Sequence, residues 1–273
     1  MENLVSMAKK VAGLFDLNGR VAVVTGGGKG LGEAMALALA GAGADVAIAG
    51  KTQENNERVA GEIVKMGRRS VAVKVEVREE KQVAGMVNRV VGDLGRLDIL
   101  INSAGYAEVR PITEFPLDLW EYIMDVNVKG TFLCSREAAG VMLKQGKGKI
   151  INISSLQGFA GRAGDAAYAA SKSAVNLMTM SMACEWAPRG ICVNAVAPTW
   201  CWTPLTSPYL SVEPFYEKLC RRIPAGRAGN REDLFGVTVF LASSASDFVN
   251  GAVIPVDGGA IASDGFPEVP AVT

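Results

Sequence analysis

Arg20-Val-Ala-Val-Val-Thr25 runs directly into Gly26-Gly-Gly-Lys-Gly-Leu-Gly32, and an alanine-rich stretch follows as far as Gly41. The apolar run reads as a buried strand, the glycines as a tight turn and the alanines as a helix. A turn of this kind sets backbone N–H groups and the positive end of a helix dipole against a pyrophosphate. Glycine is needed wherever a side chain would block that approach. Working outward, strands are expected near 20–25, 45–49, 71–76, 97–102, 149–153, 191–196 and 253–256, with helical stretches between them. Such alternation predicts an α/β fold: right-handed crossovers build a doubly wound parallel sheet with helices on both faces. Ligands in these sheets sit beyond the carboxyl ends of the strands where the strand order reverses. Gly26 to Gly32, Asn102 to Gly105 and Ser155 all fall at such strand ends.

Length and composition narrow the field. The 273 residues include 11 prolines but no proline- or serine-rich linker, charge block or repeat, so one domain over 1–273 is expected. The 28 basic and 28 acidic residues balance, which gives no electrostatic case for nucleic acid or an anionic membrane as partner. Short apolar runs in Met1–Phe15 are broken by Lys9 and Lys10, so no secretory h-region is expected there, and no stretch approaches a membrane span. Cys134, Cys184, Cys192, Cys201 and Cys220 form no C-x-x-C pair, a usage that fits reduced thiols in a cytoplasm. The chain has no histidine. A Ser-His-Asp triad, a His-Glu-x-x-His zinc site and a histidine proton relay are therefore excluded, and no metal site is expected. Acid–base work falls to Tyr, Lys or a carboxylate.

Tyr168-Ala-Ala-Ser-Lys172 supplies two of these groups, four residues apart on one helix face. A cation beside a phenol favours the phenolate and draws its pKa from about 10 toward the working range. Ser155 lies upstream, just after the strand-like Lys149-Ile-Ile-Asn-Ile153, so a strand end can present a hydroxyl to that helix.

With Thr25-Gly26-x-x-x-Gly30-x-Gly32, Asn102-Ser103-Ala104-Gly105, Asn127, Ser155, Tyr168 and Lys172 in this order, the sequence resembles the short-chain dehydrogenase/reductase family. Asn194-Ala-Val-Ala-Pro198 and Val256-Asp-Gly-Gly259 extend the resemblance from about Leu14 to Ala262. It implies a Rossmann-type sheet of about seven strands. It further implies that Tyr168 is the acid in ketone reduction and the base in alcohol oxidation, with Ser155 on the same oxygen. Lys172 would hold the nicotinamide ribose and lower the tyrosine pKa. Asn127 would position a water linking that lysine to solvent; alone it reads as a mid-helix polar residue with a local backbone bond.

The expected cofactor contacts are Gly26, Gly28, Lys29, Gly30, Leu31, Gly32, Lys51, Glu76, Val77, Asn102, Ala104, Gly105, Tyr168, Lys172, Pro198, Thr199, Cys201 and Thr203. Asn102 to Gly105 can equally be a sheet-stabilising turn, and Glu76 replaces the Asp that many relatives place beside adenine. Thr199 stands where relatives usually have glycine. Gly50 occupies the position where NAD-preferring proteins carry a carboxylate, while Lys51 and Lys29 can flank a 2′-phosphate, so NADP(H) is expected. As two solvated lysines they would leave dual specificity.

From Trp200 to Arg227 the chain mixes aromatics and prolines as a substrate-covering segment would, although such aromatics also serve internal packing. Helical stretches 117–145 and 166–186 carry apolar and small-residue surfaces, which with the family's habit of pairing these helices suggests a homotetramer. Leu14 to Arg20 and Pro198-Thr199 look most like the gluconate 5-dehydrogenase and polyol branch, so the expected substrate is a sugar, polyol, sugar acid or small ketone. A 3-oxoacyl-thioester reductase and a non-catalytic dinucleotide sensor are the alternatives. Few fixed charges near Trp200 to Leu205 favour a neutral or singly charged ketone or polyol, with moderate sugar-acid activity expected only if Arg162, Arg221 or Arg222, the only available cations, turns inward.

Overall fold

In the computed structural model, which describes residues 8 and 10–263, the apolar runs become seven strands. They are β1 (Val21–Thr25), β2 (Asp45–Gly50), β3 (Ser70–Lys74), β4 (Ile99–Asn102), β5 (Gly148–Ile153), β6 (Ile191–Pro198) and β7 (Val253–Val256). All pair in parallel in the order β3-β2-β1-β4-β5-β6-β7. The order reverses between β1 and β4, where Thr25 is level with Ala49 on one side and Asn102 on the other. The expectation for Met1–Phe15 and the two ends of the 1–273 span fall partly outside the described residues.

Alternation along β1 sends Val21 and Val23 into one core and Ala22 and Val24 into the other. The first core is closed by α3 (Glu80–Leu94), α5 (Gly130–Gln145) and α6 (Ala166–Trp186) through residues such as Val90, Leu133 and Trp186. Opposite lie α1 (Gly30–Gly41), α2 (Gln53–Lys65) and α9 (Phe235–Ala242), through Leu39, Ile63 and Leu241. Because both faces are covered, central strands such as β1 are buried at every position, which is why they read as continuous apolar runs.

The stretch expected as one helix over 117–145 departs from regular geometry. Leu117–Met124 (α4) and α5 are joined by a π turn over Asp125–Lys129 that carries Asn127. One extra residue in the turn shifts the helix face by about 100°. That shift points Asn127 inward, where it is buried.

Between β6 and α9 the chain forms short helices α7 (Ser207–Leu210) and α8 (Glu213–Arg222). Trp200 packs edge-on against Tyr209 and Phe215, and Trp202 lies against Tyr216. A bridge between Cys201 and Gly229 closes the base of this excursion. It therefore stands on the carboxyl ends of the strands as an ordered flap.

Candidate active site

A cleft of about 460 Å³ opens at the strand-order reversal. All the expected cofactor positions border it except Asn102, and Ser155 borders it as well. Residues as far apart as Gly26, Ala104, Ser155 and Thr199 converge here because each follows a parallel strand. The floor is the glycine turn. Gly26 and Gly30 have positive φ of 65° and 63°, and a Cβ on Gly26 would stand 2.8 Å from the Ala104 nitrogen. The turn ends in α1, whose N-cap Lys29 makes no side-chain capping bond, leaving its first N–H groups facing the cleft without a side-chain acceptor.

Of the two readings given for Asn102, its side chain takes the sheet-stabilising one and not cofactor contact. Its amide donates to Ser135 Oγ at 2.9 Å and to Asn152 Oδ1 at 2.8 Å, and Asn152 donates on to Thr179 at 2.9 Å. The side chain points into the sheet and ties β4 to β5 and two helices. Thr25 complements it from β1, its hydroxyl accepting from the N–H groups of Ser103 and Ala104. The small residues after Asn102 are held against the cleft by these bonds rather than by Asn102 touching a ligand.

At the opposite end, Ser155 terminates the loop after β5 and Tyr168 and Lys172 project from the first turns of α6. The Tyr168 phenol and the Ser155 hydroxyl line the same wall of the cleft, and Ser155 Oγ donates to Gln157 Oε1 at 2.8 Å. Lys172 is buried and its Nζ donates to the Ile153 carbonyl at 2.7 Å, standing 5.5 Å from the Tyr168 ring centre. Burial alone pulls the lysine pKa down to about 8. Burial likewise pushes the Tyr168 phenol up from its ordinary value, and the nearby Ser155 hydroxyl offsets this only in part. The expected depression of Tyr168 by Lys172 is thus not found. The ammonium sits over the ring and is turned toward a carbonyl, so its field at the phenol oxygen loses to desolvation. A half-buried tyrosine with a raised pKa is fully protonated at neutral pH.

Asn127 does not border the cleft. Its amide is committed to the Tyr106 backbone, accepting from the N–H at 2.8 Å and donating to the C=O at 2.9 Å, and it donates to Ser171 Oγ at 2.9 Å. Ser171 in turn donates to the Tyr168 carbonyl at 2.7 Å. The π turn thereby anchors the first turn of α6 to the strand exit after β4. Gln157 and Ser171, which the sequence reading missed, orient Ser155 and this anchor. Their places two residues beyond Ser155 and inside Tyr168–Lys172 were the available signals.

The far end of the cleft is charged and more open. Lys51 Nζ lies 3.0 Å from Glu76 Oε2 and 3.2 Å from the Tyr122 hydroxyl, while Arg78 reaches the same carboxylate oxygen at 3.2 Å. Lys29 is exposed on the turn. Of the cations considered for substrate, Arg162 is paired with Asp165 at 2.5 Å and lies 5.0 Å from the Trp200 ring centre, Arg221 is paired with Glu217, and neither borders the cleft.

Comparison with known proteins agrees with this geometry. Residues 26–260 match the family model described as Enoyl-(Acyl carrier protein) reductase. The chain is 42% identical over 249 residues to 2-dehydro-3-deoxy-D-gluconate 5-dehydrogenase of Escherichia coli (strain K12), covering 91% of this chain and 98% of that protein. It is 38% identical over 246 residues to gluconate 5-dehydrogenase of Gluconobacter oxydans (strain 621H), covering 90% and 96%. The crystal structure of a gluconate 5-dehydrogenase from Burkholderia cenocepacia J2315 in complex with NADP and tartrate superposes with a TM-score of 0.89 at 38% identity, covering 92% of this chain and 98% of that one.

Proposed function

The chain belongs to the short-chain dehydrogenase/reductase family, and from that premise we propose that it is an NADP(H)-dependent oxidoreductase interconverting a ketone and a secondary alcohol on a sugar acid or related polyol. The observation that carries the reading is the Tyr168 phenol, lining the cleft with Ser155 and one helical turn from Lys172, in a cleft that starts at an uncapped glycine turn.

The residues fit the dinucleotide. The uncapped start of α1 and the Gly26 to Gly32 turn offer N–H groups to a pyrophosphate. Gly50, Lys51 and Val77 frame the adenosine end, and Thr199 Oγ1 is enclosed at the other end without a protein partner, a hydroxyl free to bond a ligand. When bound, the nicotinamide supplies the hydride in reduction and accepts it in oxidation.

Tyr168, a phenol protonated at neutral pH, donates its proton to the ketone oxygen, and Ser155 holds that oxygen with a second hydrogen bond. Gln157 Oε1 accepts the hydrogen bond of the serine hydroxyl and the Gln157 N–H donates to the serine oxygen, so the hydroxyl rotates from Gln157 to the substrate oxygen when substrate binds. Lys172 holds the ribose and supplies positive charge as phenolate develops, which is worth most in a site from which water is excluded. Asn127 positions Tyr106 and α6 around this group and, through the water the family resemblance implies, links Lys172 to solvent. The segment 200–227 serves as the substrate cover, its Trp200 and Trp202 resting on α7 and α8.

Relatives bearing gluconate dehydrogenase names favour a singly charged sugar acid. We further propose a homotetramer, supported by the apolar side chains that α5 and α6 leave outside: Phe132 is 43% exposed and Leu177 67%. Cytoplasmic residence is supported by five unpaired cysteines. Among the described residues no helix is long and apolar enough to cross a membrane.

The test is NADPH oxidation measured across 5-keto-gluconate, neutral diketones, cyclic ketones and acetoacetyl thioesters. The reading expects the highest kcat/KM on the keto sugar acid. Preference for the thioester would move the chain to the acyl-reductase alternative, and no oxidation with any substrate would contradict the enzyme.

A further inference from the structure

Glu76 stands at the end of the strand-to-loop transition after β3, on the cleft wall, where its carboxylate faces two cations at once. Lys51 Nζ is 3.0 Å from Glu76 Oε2, and the Arg78 guanidinium is 3.2 Å from the same oxygen. Tyr122 completes the group: its hydroxyl accepts from Lys51 at 3.2 Å, and its ring carries the Arg78 guanidinium 4.6 Å from its centre. Lys51 is therefore not a free cation awaiting a phosphate. It is already engaged, by a carboxylate that lines the same cleft.

The two cations differ in how firmly they are held. The Lys51 side chain is 59% exposed and flexible, so its pair with Glu76 is of the weak, screened kind. Arg78 is less exposed, is stacked on Tyr122, and also holds Glu76 Oε1 through its own backbone N–H at 3.4 Å. Its Nε has no acceptor in the protein, so the guanidinium retains a donor for the carboxylate if the lysine leaves. Partial burial works against the charge of Glu76, yet Arg78 and Lys51 outweigh it and hold the carboxyl below its usual range, so it competes as a full anion at neutral pH.

Resting on the dinucleotide reading above, we propose that Glu76 sets cofactor preference as an internal competitor for Lys51: it holds the ammonium when the ribose carries no 2′-phosphate and yields it to the phosphate, remaining on Arg78, when it does. A dianion wins this exchange over a monoanion, but by less than an unengaged lysine would give. Glu76 therefore moderates the preference for NADP(H) that Gly50 and the lysines establish. It also keeps the empty adenosine end from presenting an uncompensated cluster of positive charge.

The test uses the two halves of the distinction without the rest of the cofactor. Dissociation constants of 2′,5′-ADP and 5′-AMP are measured by calorimetry on the parent, Glu76→Gln, Lys51→Met and the double variant. Glu76→Gln is expected to tighten 2′,5′-ADP relative to 5′-AMP about two- to five-fold, the size of a partly exposed ion pair, any change at the adenine being common to both fragments. In the Lys51→Met background the same substitution is expected to have no effect on 2′,5′-ADP relative to 5′-AMP. Glu76→Asp, whose shorter carboxylate withdraws from Lys51 with little change in packing, is expected to lie between parent and Glu76→Gln, and it carries the test should the amide variant fold poorly. No tightening in Glu76→Gln, or equal tightening with and without Lys51, overturns the competitor and leaves at most simple repulsion. Failure of both fragments to bind the parent would overturn the dinucleotide reading and the proposal with it.

Discussion

At one end of the cleft Tyr168, Ser155 and Lys172 are enclosed by protein and fixed by short hydrogen bonds to Gln157 and the Ile153 carbonyl. At the other, Lys51, Glu76 and Arg78 form partly exposed ion pairs over an aromatic ring. Burial shifts both ionisable groups at the first end toward their neutral forms, whereas at the second it is outweighed and the charges are kept. The difference follows from what each end does. Proton transfer gains from a low dielectric and fixed geometry, because interactions made only in the transition state are then strong. Recognition of a phosphate gains from charge that can be rearranged at small cost. Substitutions at the enclosed end should therefore remove turnover, and those at the charged end should shift affinity between cofactors.

Lys172 spans both roles and gives the largest effect in this series. Lys172→Met is expected to lower kcat by about 10²–10⁴-fold, the range of a lost acid–base contribution, and to weaken NADPH binding in a fluorescence titration. It should also change stability in a defined direction. The folded-state pKa is depressed to about 8 from 10.5, so between those values the unfolded chain binds more protons and the parent gains stability as pH rises. Below pH 8 the cost of burying the ammonium is fully present. Lys172→Met removes that cost, so in denaturant unfolding its advantage over the parent should be greatest below pH 8 and fade toward 10.5. An advantage that grows with pH would contradict the buried charge.

The second effect is on direction. With Tyr168 raised by burial, ketone reduction is expected to be fastest at neutral pH and to fall in alkali, while alcohol oxidation, which needs the phenolate, should climb as pH rises. Parallel pH profiles of kcat/KM in the two directions read this directly, and profiles moving together would remove the tyrosine from the proton transfer.

Smaller effects belong to the charged end. Lys51→Ala and Lys29→Ala are each expected to erode the NADPH-over-NADH preference by about 1–2 kcal/mol, as for a lost hydrogen bond to a charged group. Equal efficiency of the parent with both cofactors would break the two-lysine reading. Replacing Gly50 by Asp should move preference toward NADH, although the new Cβ would meet Asn56 Oδ1 at 3.1 Å and that side chain must give way. Smallest is Arg162→Ala. Because Arg162 is held by Asp165 and Trp200 and does not border the cleft, KM should rise by less than about fivefold, equally for a keto acid and a neutral diketone. A loss confined to the keto acid would show the arginine turning toward substrate.

The enclosed end also shows where a sequence stops being legible. Strand positions, the glycine turn and the 166–186 helix followed from periodicity, because burial on both faces or one face writes itself into neighbouring residues. The π turn at Asp125–Lys129 did not, since one extra residue leaves the apolar pattern of 117–145 almost intact. The two readings of Asn102 stayed open in the sequence because its partners, Ser135 and Asn152, lie far along the chain and only the folded sheet makes them neighbours. The same distance hid Glu76 as the partner of Lys51. The sign of the Tyr168 shift was wrong for a related reason: spacing places Lys172 one turn away, but only the fold decides whether its Nζ faces the phenol or the Ile153 carbonyl.

Tyr168→Phe tests the division of labour most directly, by single-turnover reduction of 5-keto-gluconate and NADPH titration on the same preparation. The account expects reduction to fall by about 10³-fold or more while the NADPH dissociation constant stays within a few-fold of the parent, because the substitution removes the transferable proton and keeps the ring. Near-normal reduction, or a loss traced entirely to weakened NADPH binding, would contradict it.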